Sequence, residues 1–72
     1  MTNTEMLNQL IRERGLKKVY LAEKVGLSPA GFHNCVTNRA EFRASQIQTL
    51  CDLLGVDDPA QRVALFFDTS GA

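Results

Sequence analysis

Seventy-two residues, 44% of them hydrophobic, suffice for one domain around one small core, and such a chain buries only about 60% of its unfolded surface. Eight Lys and Arg balance eight Asp and Glu, so net charge by itself gives no pull toward a polyanion. The polar N-terminus and the absence of any run of about 20 apolar residues argue against a signal peptide and a membrane span, and predict a cytoplasmic protein.

The first predicted helix runs from about Asn3 to Arg14. Thr2 and Glu5 have capping-box spacing, and Met6, Leu7, Leu10 and Ile11 form one apolar stripe. A stop follows at Gly15-Leu16, and the same glycine–apolar pair recurs at Gly26-Leu27 and Gly55-Val56. Glycine takes the left-handed conformation past a helix end, and the next apolar side chain folds back on the last turn. The second helix spans about Lys18 to Val25, with Leu21, Ala22 and Val25 inward.

The third opens with Ser28 as N-cap and Pro29 at the first helical position, where a missing N–H costs nothing. It reaches about Val36, and Asn38 is its left-handed stop. Phe42 is expected to be buried in the connection. Ser45 and Gln48 have capping-box spacing for a fourth helix that turns Ile47, Leu50, Cys51 and Leu54 inward. Asp57 or Asp58 with Pro59 opens a last segment to about Phe67, apolar nearly all round from Val63. No stretch alternates with period two, so the class is all-α: a compact bundle of four to five short helices.

Residues 18–37 carry the strongest pattern. Two short helices joined by a tight turn need Leu21 and Val25 inward and a small Ala22 where the next helix crosses. They also need Gly26 at positive φ, Leu27 plugging the turn, and Phe32 and Cys35 on the inner face of the second helix of the pair. All seven positions are suitably filled. The charge distribution agrees, because residues 12–43 hold seven basic against three acidic side chains, while residues 44–72 hold Arg62 against four aspartates. A basic half beside an acidic half is the footprint of a protein that meets double-stranded DNA on one side.

Gly15-Leu16, the run Leu21 to Ser28, Phe32 and Asn38-Arg39 resemble the phage repressor/Cro-type helix-turn-helix family. Glu41-Phe42-Arg43-Ala44 and the stretch Ser45 to Gly55 resemble the fourth helix of small prophage-encoded members. The resemblance covers about Met6 to Val56. It implies a lambda repressor-like DNA-binding fold, one helix-turn-helix domain over residues 1–72, and regulation of transcription. Many members start the second helix with a phosphate-binding glutamine. Lys18 stands there in this chain, as a point-charge donor.

The exposed face of the third helix would read bases through Ser28, Ala30, His33, Asn34 and Thr37. Asn34 is the foremost of these, since asparagine can bond the N6–N7 edge of adenine, and the Ala30 Cβ can touch a thymine methyl. That face has no arginine or glutamine for bidentate contacts. Lys17, Lys18, Asn38, Arg39 and Arg43 flank it as phosphate contacts, which position rather than specify.

Catalysis is not expected: there is one histidine, no nucleophile with a base–orienter set, and no phosphate-binding glycine loop. His33, Cys35 and Cys51 lack paired ligand spacing, so neither a metal nor any other cofactor is expected, and both cysteines read as small buried hydrophobes. Residues 57–67 form a candidate interface in which Val63, Leu65, Phe66 and Phe67 exceed what one helix can bury. The expected assembly is a homodimer on DNA. The alternative is a modulator that uses this surface to bind a partner phage repressor.

Overall fold

A computed structural model describes residues 1–68 as five helices without a strand: α1 Thr4–Glu13, α2 Lys18–Lys24, α3 Pro29–Val36, α4 Ala44–Leu54 and α5 Pro59–Phe66. The all-α expectation holds. The helix starts follow cap chemistry, and two of them lie one and two residues from where capping-box spacing put them. Asn3, not Thr2, caps α1: its Oδ1 accepts the Met6 N–H at 3.1 Å. Thr2 is unavailable for that role because its backbone is held by Asn38, 36 residues away.

Helix α4 likewise opens at Ala44, ahead of the expected Ser45 cap. Gln46 Oε1 accepts the Arg43 N–H at 2.8 Å, and Arg43 takes the extended conformation of a cap residue. Ser28 caps α3 as expected, its Oγ accepting the Gly31 N–H at 3.0 Å, with Pro29 first in the helix. Asp58 Oδ1 accepts the Ala60 N–H at 3.0 Å and starts α5.

The helix ends share one device. Leu16, Leu27, Arg39 and Val56 each donate a backbone N–H to the carbonyl five residues back. The preceding residues Gly15, Gly26, Asn38 and Gly55 are all at positive φ, between 67° and 75°. This six-to-one bond satisfies a carbonyl that the helix cannot, and it turns the chain sharply. All four stops match the sequence reading.

The turns bring the apolar stripes of all five helices onto one core, with Leu7, Leu21, Leu50, Leu54 and Leu65 wholly buried. Val25, Leu27 and Leu16 pack at its edge, and Met6 lies outside it. Three aromatic rings cross the core edge to face. Phe32 and Phe42 are 5.7 Å apart between centroids, and Phe42 and Phe66 are 5.9 Å apart. The connection after α3 is therefore packed between α3 and α5, as its buried Phe42 was expected to require.

The C-terminal segment corrects one expectation. Leu65 is 0% and Phe66 4% exposed, so the core takes these two and they offer no surface to a partner. Val63 and Phe67 are 55% and 51% exposed. Phe67 is the residue that ends α5, its N–H bonded to Val63 O at 2.9 Å, so the two exposed side chains stand one turn apart. No helix among the described residues is long and apolar enough to cross a membrane.

Candidate nucleic-acid interface

Helix α2 begins without a side-chain cap: Lys17 is extended and no side chain bonds the first-turn N–H groups. Open donors and the positive end of the helix dipole therefore sit beside two exposed ammonium groups, Lys17 and Lys18. Lys18 also lines a cleft of about 530 Å³ with Arg12, Asn8, Ile11 and Leu16. The buried Oδ1 of Asn8 has no hydrogen-bond partner among the described residues. The sequence reading named Lys18 but not Arg12. The tight Gly15-Leu16 turn between the two residues was the signal that would have joined them.

Eight residues after Lys18, Gly26 (φ 75°) reverses the chain into α3, and Leu27 packs against the core from within the turn. Gly31 leaves room for the cap, since a Cβ there would lie 3.2 Å from Ser28 Oγ. The outer face of α3 is then sorted by what each side chain already does. Ala30 and His33 are exposed, and Asn34 is half-buried. The side chains of His33 and Asn34 have no partner among the described residues.

Ser28 is exposed, and its Oγ lone pair is used by the cap while its proton remains free to donate. Thr37 is more committed: its hydroxyl donates to the His33 carbonyl at 2.9 Å and to that of Asn34 at 3.4 Å. Asn38 is committed on both sides of its amide, accepting from Thr2 N–H at 2.8 Å and donating to Thr2 O at 2.9 Å.

The cations divide in the same way. Arg14 donates Nε to the Leu54 carbonyl at 2.8 Å, Lys24 stands 5.5 Å over the Tyr20 ring, and Arg62 bonds Gln48 at 2.8 Å. Arg12, Lys17, Lys18, Arg39 and Arg43 are exposed, and their side chains have no partner among the described residues. Arg43 is placed by Gln46, whose Oε1 holds the Arg43 N–H while its Nε2 donates to Val25 O at 3.4 Å. The start of α4 is thereby tied to the end of α2, the first helix of the turn.

Exposed cations with unpaired side chains thus stand at the end of α1, at the starts of α2 and α4 and just past the end of α3. Among the described residues no cluster of three or more His, Cys, Asp and Glu side chains could hold a metal. Burial pushes the Cys35 and Cys51 thiols above their usual range, which leaves both as protonated hydrophobes. A family model described as a Cro/C1-type HTH DNA-binding domain matches residues 6–61. No curated protein and no solved structure matches the chain significantly.

Proposed function

The chain belongs to the Cro/C1-type HTH DNA-binding domain family, and from that premise we propose that it is a phage or prophage regulator that occupies operator DNA as a homodimer in the cytoplasm. Its family role is that of a DNA-binding transcriptional regulator. Helix α3 enters the major groove, where Asn34 and His33 meet base edges and Ser28, Ala30 and Thr37 complete the contact surface. Lys17, Lys18, Arg39 and Arg43 neutralise phosphates on either side. No chemistry follows. The regulator acts by excluding or redirecting polymerase.

One observation carries this reading above the others. Lys17, Lys18, Arg39 and Arg43 are exposed and their side chains unpaired, whereas those of Arg14, Lys24 and Arg62 are already engaged. A chain of zero net charge that leaves five of its eight Lys and Arg side chains exposed and unpaired, all between residues 12 and 43, has a surface for a polyanion.

A second reading has support of its own. Val63 on α5 and Phe67 at its end expose apolar surface, and α3 carries no arginine, lysine or glutamine. Both suit a modulator that docks on a partner repressor and alters its DNA binding. Titration against duplex DNA from the protein's own promoter region, with and without the repressor encoded beside it, separates the two. Tight binding by the protein alone supports operator occupancy, and binding that needs the repressor supports the modulator.

A further inference from the structure

Three of the four helix stops use glycine, whose job there is positive φ alone. The fourth, Asn38 at φ 67°, is the one non-glycine residue at positive φ among the described residues. Asparagine tolerates that conformation at some cost. What it adds over glycine is an amide, and the structure uses both ends of it. Oδ1 accepts the Thr2 N–H at 2.8 Å, and Nδ2 donates to Thr2 O at 2.9 Å.

A third bond joins the same two regions: Thr4 Oγ1 donates to Val36 O at 2.6 Å, satisfying one of the carbonyls left open at the end of α3. The N-terminal segment is held in turn by the end of α5, with Asn3 N–H bonded to Leu65 O at 2.7 Å and Asp68 N–H bonded to Met1 O at 2.9 Å. Thr2 is 7% exposed, so the pair is covered on its Thr2 side while the Asn38 side stands at the surface.

Arg39 is the next residue. It is exposed and unpartnered, and its N–H closes the six-to-one bond to Asn34 O at 2.8 Å. The direction in which Arg39 leaves α3 is thus set by Asn38, and Asn38 is set by Thr2. We propose that residues 1–4 and Asn38 form a strap that positions Arg39 for a phosphate, so that Asn38 acts on DNA affinity through Arg39 rather than by touching DNA. The inference rests on the DNA-binding reading. Its physical content is preorganisation: a clamped corner has less backbone freedom to lose when Arg39 orders on a phosphate.

The test measures affinity for a fluorescent mixed-sequence DNA duplex across a salt series, at a temperature where circular dichroism shows each variant folded. Arg39→Ala should weaken binding and lower the logarithmic salt slope by about 0.9, the signature of one phosphate contact. Asn38→Gly keeps the left-handed corner and removes the amide. It should weaken binding severalfold, and adding Arg39→Ala to it should cost clearly less than the product of the two single losses.

Thr4→Val, which removes the third bond without changing shape, should weaken binding in the same sense, and Thr4→Ser should restore it. The Thr4 pair keeps the test decisive if Asn38→Gly does not fold. A full multiplicative loss in the double variant would overturn the strap while leaving DNA binding intact. So would wild-type affinity in Thr4→Val. A folded wild type that binds no duplex at all would overturn the DNA-binding reading and the strap with it.

Discussion

Phe42 and Phe66 meet edge to face with ring planes at 89°, so the connection carrying Arg39 and Arg43 rests directly on the last helix. Edge-to-face pairs add to the burial of the rings themselves. Phe66→Ala should therefore lose about 3–5 kcal/mol of stability in denaturant titration, enough to unfold a chain this small. Phe67→Ala, on an exposed ring, should change monomer stability by about 0.5 kcal/mol or less. Equal losses would mean that Phe67 is as buried as its neighbour.

Self-association should run through what remains exposed on α5. Val63→Asp and Phe67→Asp are expected to stay folded and to shift a sedimenting dimer to a monomer. A wild type that sediments as a monomer at DNA-binding concentrations would sink the homodimer and favour the partner repressor.

Charge reversal should separate the free cations from the engaged ones. Lys18→Glu with Arg43→Glu should abolish DNA binding with helicity unchanged, while Arg62→Glu, which loses only a bond to Gln48, should do little. Affinity in the wild type should fall steeply with salt. If Arg62 proved as sensitive as Arg43, the interface would lie elsewhere on the surface.

Base reading should centre on Asn34. Replacing it with alanine should cost about 1–3 kcal/mol on the preferred site and much less on random DNA. The same loss on both would make Asn34 a positioning residue and would move the specificity to DNA shape.

Local patterns predicted the architecture well because its signals are local. Glycine–apolar stops and the Ser28-Pro29 start depend on residues within one turn of each other, and all of them appear where the sequence places them. The capping boxes at Thr2 and Ser45 failed for a different reason. Thr2 is claimed by Asn38 across the molecule, and Gln46 reaches back to Arg43 while also touching Val25. The bonds of Thr2 to Asn38 and of Gln46 to Val25 span 36 and 21 residues, and such long-range claims leave no trace in spacing.

The candidate site was legible to the same extent. The positions flanking α3 followed from the helix-turn-helix pattern, but which cations are free did not. Arg14 is taken by the Leu54 carbonyl, 40 residues away, while Arg12 stays open. The division of Val63 to Phe67 between core and surface also needed the packing of α5 against α1 and Phe42.

The buried thiols make a prediction about pH. Burial raises the pKa of Cys35 and Cys51 in the folded state, so the folded chain holds these protons more tightly than the unfolded chain. Their contribution to stability is whole below the ordinary thiol pKa and is lost as pH rises through the higher folded value. Melting temperature should accordingly fall in alkaline buffer, and a Cys35→Ala, Cys51→Ala double variant should show a shallower fall. Iodoacetamide should label neither cysteine until the chain unfolds.

Met1 and Asp68 are joined by a backbone hydrogen bond of 2.9 Å, so the path of residues 1–68 nearly closes on itself. A short peptide could bridge that gap without disturbing any helix, turning the molecule into a ring. Ring closure removes configurations from the unfolded chain and none from the folded one, which raises stability without altering a single contact in the core. The opening of such a ring could then be moved to the exposed Asp57–Asp58 bond, giving a permuted chain whose new ends lie far in sequence from the segment that clasps Asn38.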